Sequence, residues 1–193
     1  MNRLLIKDIV IINEGIRTSG DIYIEGELIK EIGSNLEHDK GIKIIDGNGC
    51  IAIPGMIDDQ VHFREPGLTH KGNISTESKA AIAGGVTSYF EMPNTFPNTT
   101  SRKELEKKIQ IASKNSFANF SFMFGGTNDN IEEIKKLDAK EVAGIKLFLG
   151  SSTGKMLIDN QDSIENIFNS TSLPISAHCE DEQTIKDNTE YFK

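Results

Sequence analysis

From Met56 onward, short apolar runs alternate with segments of helical character, and the alternation repeats five times. The runs begin at MIDDQVHF, VTSYFEM, FANFSFMF, VAGIKLFLG and LPISAHC, and the helix candidates fall at 73–84, 101–115, 128–138, 160–169 and 180–190. Start signals support several of them: Thr99, Thr100 or Ser101 before KELEKKI, Asn128 before DNIEEI, and Asn160 before QDSIENI. Repeated strand–helix alternation implies a parallel sheet with crossover helices. His62 to Lys146 spans three such units and Lys146 to His178 one, so each takes about 30 residues. A closed eightfold barrel needs roughly 250 residues, whereas the chain has 193. The sheet is therefore either open and doubly wound or an incomplete TIM-type (β/α) barrel of about five of eight units.

Residues 1–53 have a different texture. LLIKDIVII, DIYIEGELIKEI, IKIIDG and CIAIPG read as short strands separated by Gly, Asn and Asp, which predicts a small antiparallel β domain ahead of a barrel domain over 54–193.

Composition narrows the function classes. A chain that is 37% hydrophobic and 26% charged can bury a real core. Its formal net charge of -8 argues against a sequence-independent grip on nucleic acid and against an anionic membrane surface. Lys7 and Asp8 interrupt the apolar N-terminal stretch, no small-residue cleavage site follows, and no run approaches a membrane span. Cys50 and Cys179 form no CxxC pair and read as buried free thiols in a reducing cytoplasm.

The richest segment is Ile57-Asp58-Asp59-Gln60-Val61-His62-Phe63-Arg64-Glu65-Pro66-Gly67. On a strand, alternate side chains share a face, so Asp58, Gln60, His62 and, if the strand reaches that far, Arg64 point one way. Ile57, Val61 and Phe63 point the other way, towards covering helices. A polar stripe on a covered strand is costly unless it is paired or binds something. Lys146 is the second anomaly, a charge inside the otherwise apolar run Val142–Leu149. A buried lysine loses its charge or finds an anion. An ordinary Lys–carboxylate pair and a reaction of the neutral amine with CO₂, giving a metal-bridging carbamate, both satisfy that demand. His178 closes the last strand run, with Ser176 on its face and Ile175 and Ala177 opposite. His62, Lys146 and His178 all fall towards C-terminal strand ends, where barrel active sites are built.

These residues carry a family resemblance. Pro54 to Gly67, Met92-Pro93-Asn94-Thr95, Gly144-Ile145-Lys146-Leu147-Phe148 and His178-Cys179-Glu180 together resemble the dihydroorotase branch of the amidohydrolases, over essentially the whole chain. The resemblance implies a (β/α)₈ barrel beside a small β domain, and reversible hydrolysis of dihydroorotate to N-carbamoyl-aspartate in pyrimidine biosynthesis. It implies His62 and His178 as zinc ligands, an N6-carboxylated Lys146 bridging one or two zinc ions, and Arg64 and Asn94 on the substrate carboxylate. The planar guanidinium suits that task, because it pairs with both carboxylate oxygens.

Two departures stand out. The family has His-x-His where this chain reads Gln60-Val61-His62, and an amide oxygen is a weaker zinc ligand than imidazole. The family also draws a further histidine and a proton-shuttling aspartate from later strands, expected beyond Lys193, so no general base is assigned within these residues. Two rival readings follow. One is a related cyclic amidase, an allantoinase or hydantoinase; Arg64 discriminates, since allantoinases resemble this segment but carry Asn there. The other is a non-catalytic dihydroorotase-like partner of an assembly such as a transcarbamoylase. A small-molecule substrate is expected, and a homo-oligomer stays open.

Other features carry less. Gly150–Met156 is one residue too short for a phosphate-binding loop and reads as a loop over the barrel mouth. Gly84-Gly85 reads as a helix end, Gly125-Gly126 as a turn, and His70 as solvated.

Overall fold

A computed structural model describes residues 2–150 and 156–193; the chain separates into two compact units, Met1–Gly55 and Met56–Lys193. The first unit is a single sheet of β1 (Arg3–Asn13), β2 (Ile16–Glu25), β3 (Leu28–Gly33), β4 (Lys43–Asp46) and β5 (Ile51–Ala52). Its order is β3-β2-β1-β4, with β5 also on β1. The expectation of an antiparallel domain needs correction. β1–β2 and β2–β3 are antiparallel, but β4 and β5 both run parallel to β1, so the sheet is mixed. Alternation tells which face a residue takes and is silent on strand direction. The connection over 34–42 carries the chain from β3 to the far side of β1, where it enters from the same end as β1. Asp21 fixes this geometry from inside: its carboxylate accepts the N–H of Asp8 (3.0 Å), at a bulge with φ 56°, and the N–H of Leu36 (2.9 Å) at the start of that connection.

The second unit begins with β6 (Met56–Val61). It continues through α1 (Ile74–Ala83), β7 (Val86–Glu91), α2 (Arg102–Asn115), β8 (Asn119–Gly125), α3 (Ile131–Ile134), β9 (Gly144–Phe148), α4 (Gln161–Ser170), β10 (Ile175–His178) and α5 (Glu182–Tyr191). Every pairing in its sheet is parallel, and the strand order is β10-β9-β8-β7-β6. Each strand lies next to its predecessor, so no reversal of order occurs. A doubly wound sheet requires such a reversal, and the sequential order is that of a barrel wall. The fold is an incomplete TIM-type barrel.

Local chemistry explains the helix limits. Ser101 and Asn160 cap α2 and α4 by accepting the N–H groups of Glu104 and Ser163. The expected helix over 128–138 shortens to four residues. Its cap position is Asn130, not Asn128, whose side chain donates instead to Asp159 (2.9 Å). Tight bonds from Lys136 to Glu133 and from Leu137 to Ile134 end the turn, and the Asp138 carboxylate takes the N–H of Lys140 (2.8 Å), an alternative to helix continuation.

The core lies between the sheet and the helices. Phe63, Tyr89, Phe122, Phe124, Ile145 and Leu147 from the sheet side meet Ile74, Leu105, Ala112, Ile134 and Ile167 from the helices. Burial of each such side chain contributes about 1.5–3 kcal/mol. Since Ile145 and Leu147 take the helix side, Lys146 and Phe148 face the concave inner side. Both cysteines are free and exposed, which corrects the expectation of buried thiols. Of the segment Gly150–Met156, residues 151–155 lie outside the described residues. No helix among the described residues is long and apolar enough to cross a membrane.

Candidate active site

Val61 and Phe63 are drawn into the core, where the Phe63 ring lies 4.5 Å from Tyr89, and this turns Gln60 and His62 to the inner face. β6 ends at Val61, so Arg64 does not continue the strand face as the alternation suggested. Arg64 instead adopts a left-handed backbone with φ 71°, a conformation that costs a non-glycine residue about 1–2 kcal/mol and persists only where its surroundings hold it. The loop it opens packs against the loop after β7. Phe96 donates its N–H to the carbonyl of Pro66 (3.0 Å), and a Cβ on Gly67 (φ 85°) would collide with the Phe96 backbone. Only glycine allows that approach.

His62 and Asn94 meet across these loops. The Nδ1–H of His62 donates to Oδ1 of Asn94 at 2.9 Å, which leaves the Nε2 lone pair uncommitted. Burial holds the His62 imidazolium below its ordinary range, and the positive charges of Arg64, Lys146 and Lys108 act in the same direction. The neutral imidazole is the ligand form.

Lys146 is buried in the middle of β9, not at its end as expected, because β9 extends two residues further to Phe148. Its partner residues are Gly125, the last of β8, and Ser176 on β10, so it still sits level with the ends of neighbouring strands. Its Nζ lies 3.4 Å from Gln60 Oε1, 3.5 Å from Ser176 Oγ and 5.4 Å from the Phe148 ring centre. A Lys–carboxylate pair, one of the two readings the sequence left open, is not formed among the described residues. Burial pushes the Lys146 pKa down, and the neutral amine is the form that reacts with CO₂. His178 lies one register step further out, paired with Phe148, its ring 6.2 Å from that aromatic ring. It remains 44% exposed, with Nε2 at 3.1 Å from Glu180 Oε1. The site is thus an open inner face. The cavity of about 790 Å³ bounded by Phe96, Asn98, Thr100, Glu104, Asn130 and Leu157 includes none of the six candidate residues.

The donor chemistry suits a divalent metal in part. A neutral imidazole, a depressed lysine amine able to become a carbamate, and an amide oxygen face the same concave side. Among the described residues, however, no group of three or more His, Cys, Asp or Glu converges as a metal set.

Sequence reasoning missed one pair beneath the site. Glu91 and Lys108 are both fully buried and form an ion pair between β7 and α2. The signal was present. Lys108 follows Leu105 by three residues and precedes Ala112 by four, the spacing of one buried stripe, and Glu91 follows Tyr89 by two.

Comparison with known proteins bears on this geometry. Residues 49–191 match the Dihydro-orotase-like family model. The chain is 38% identical over 166 residues to a dihydroorotase of Methanosarcina mazei, covering 84% of this chain and 36% of that protein. It is 35% identical over 158 residues to an allantoinase of Salmonella choleraesuis, covering 81% and 34% respectively. Among solved structures, the L-hydantoinase (dihydropyrimidinase) of Arthrobacter aurescens superposes with a TM-score of 0.91 at 25% identity, covering 99% of this chain and 44% of that one. The chain spans about a third of the length of these curated relatives. With the match running from the strand before the His62 segment to the last helix, the chain belongs to the dihydro-orotase-like family.

Proposed function

We propose that the chain supplies part of the active site of a dihydroorotase, which hydrolyses the ring amide of dihydroorotate reversibly to N-carbamoyl-aspartate in pyrimidine biosynthesis. The observation that carries the substrate is Arg64. Its loop lies against the Asn94 loop, and no ion pair involving it occurs among the described residues. A guanidinium without a carboxylate partner, beside a cyclic-amide site, is a receptor for a substrate carboxylate. The Asn94 amide supports it while its oxygen fixes the His62 ring.

His62, Gln60, a carboxylated Lys146 and His178 are the residues that would hold zinc. When bound, the metal supplies Lewis-acid polarisation of the ring carbonyl and a lowered pKa for water. The protein's own groups orient the ring. Arg64 fixes the carboxylate end, and Phe148 closes the apolar side next to Lys146. A second reading, a carboxylate-independent cyclic amidase, is favoured by the allantoinase and L-hydantoinase matches. The test is turnover by the longest natural chain containing these 193 residues, with dihydroorotate, dihydrouracil, hydantoin and allantoin compared. Preference for dihydroorotate that disappears in Arg64→Ala supports the first reading. Equal or better use of rings without a carboxylate replaces it with the second.

A further inference from the structure

The buried pair below the site touches both loops that carry the proposed substrate contacts. The Glu91 carboxylate meets the Lys108 ammonium, and the backbone N–H groups of Phe63 and Arg64 are turned towards it and favour its charged form. Lys108 in turn donates to the carbonyl of Met92 at 2.8 Å, and its Nζ lies 5.4 Å from the Phe122 ring centre. Met92 is anchored on its other side, through its own N–H to the carbonyl of Val61 at 2.9 Å. One buried group therefore faces the chain where it turns into Arg64, and its partner holds the chain where it turns into Pro93-Asn94.

We propose that Glu91 and Lys108 are positioning residues for carboxylate recognition: together they pin the left-handed Arg64 backbone and the Asn94 loop to a single point in the core. This rests on the reading of Arg64 as the carboxylate receptor. Three observations favour positioning over plain stability. A buried ion pair is commonly no better for stability than well-packed apolar side chains of the same volume. Here the one hydrogen bond the pair makes outside itself, from Lys108 to the Met92 carbonyl, goes to the root of a site loop, and the N–H groups turned towards Glu91 belong to the other. Finally, the Arg64 φ of 71° needs surroundings that hold it, and the buried carboxylate faces the N–H of that same residue.

The experiment compares two double variants in the longest natural chain containing these residues. Glu91→Leu with Lys108→Met keeps the volume and removes every hook on the loops. Glu91→Gln with Lys108→Met removes both charges yet leaves an acceptor for the Phe63 and Arg64 N–H groups. Two readouts are taken: KM and kcat for dihydroorotate and for dihydrouracil, which lacks the carboxylate, and amide exchange in peptides spanning 62–65, 92–96 and 119–125. The Leu/Met variant is expected to raise KM for dihydroorotate about 10-fold or more, with kcat and the dihydrouracil constants within about 3-fold. Exchange at 62–65 and 92–96 should rise about 10-fold or more while 119–125 stays within about 3-fold. The Gln/Met variant should recover most of the loss at 62–65 and in KM. Equal losses on both substrates, or exchange that rises in all three peptides together, would overturn the inference, as would no change at 62–65. If the Leu/Met variant does not fold, Lys108→Met alone frees the Met92 carbonyl and the 92–96 peptide decides. Should the unmodified chain show no preference for dihydroorotate, the substrate reading fails, and exchange still judges the positioning.

Discussion

Lys108→Met is the perturbation whose energetic consequence follows most directly from the structure. In the unmodified chain burial pushes the Glu91 carboxyl up to about 7, against the opposing pull of Lys108. Without the ammonium the carboxyl rises further, towards about 9, the range of lone buried glutamates. The sign follows from linkage. A carboxyl whose folded pKa is raised favours the folded state most below its unfolded pKa near 4.5, and loses that contribution as pH climbs towards the folded pKa. The loss stops near 7 in the unmodified chain and continues to about 9 in the variant. At pH 6, below both values, the two chains differ little in the ionisation of Glu91, and this part adds almost nothing to the difference. At pH 8 it adds roughly 1–2 kcal/mol, at about 1.4 kcal/mol per pKa unit.

To this is added a part that does not depend on pH, the Met92 carbonyl left without its 2.8 Å donor, worth about 1–3 kcal/mol. Removing the ammonium also removes its own desolvation, which offsets some of that constant part and leaves the slope intact while Lys108 stays protonated. The expectation is a destabilisation of the second unit of about 1–3 kcal/mol at pH 6, growing by roughly 1–2 kcal/mol at pH 8. Amide exchange in β8, corrected for the intrinsic pH dependence, measures it. A cost that is the same at both pH values would refute the assignment of a buried, unpaired carboxylate. Adding Glu91→Gln should flatten the slope.

Three further outcomes are expected. Arg64→Lys keeps the charge and loses the planar fork, and should lower kcat/KM for dihydroorotate by roughly 30- to 1000-fold; unchanged kinetics would remove Arg64 from the substrate site. Elemental analysis after dialysis should find fewer than two zinc ions per longest natural chain, because Gln60 offers a weak amide oxygen already within 3.4 Å of Lys146; Gln60→His should raise the content, and two ions retained by the unmodified chain would show Gln60 to be a competent ligand. Asp21 is held below the ordinary carboxylate range chiefly by the N–H of Asp8, with that of Leu36 acting alongside, so its contribution to the first unit is present above about pH 4 and lost as pH falls further; Asp21→Ala should remove that acid-sensitive step in a circular-dichroism titration.

What was legible in the sequence was legible for physical reasons. The alternation of Gln60, Val61, His62 and Phe63 told the inner face from the core, and Phe63 against Tyr89 bears it out. Lys146 stood out because a charge in an apolar strand must be explained, and it is indeed buried on the inner face. Of the two readings left open for it, the carboxylate pair is not formed among the described residues. The buried Lys–carboxylate pair exists one layer away, at Lys108. That residue went unseen because it stands beside Lys107 in the highly charged segment KELEKKI, where one more lysine draws no notice. Direction was equally hidden in the first unit: IKIIDG reads as a strand and cannot say that β4 runs parallel to β1.

The remaining gap is register, and it is where the site is made. Sequence placed Lys146 at a strand end; the sheet places it mid-strand, opposite Gly125 and Ser176. Because each parallel strand is staggered against the last, residues from different levels of their own strands come level on the inner face. Gln60, the next-to-last residue of β6, thereby reaches a lysine two residues short of the end of β9, although β7 and β8 stand between those strands in the sheet order. Side-chain reach across a curved wall, not proximity in the strand order, brings the two together. That curvature is set by the core behind the sheet, where Phe63, Tyr89, Phe122 and Leu147 pack against the helices. A volume change at one of those outward positions should therefore alter the spacing of Gln60 and Lys146, even though no atom of the site is touched.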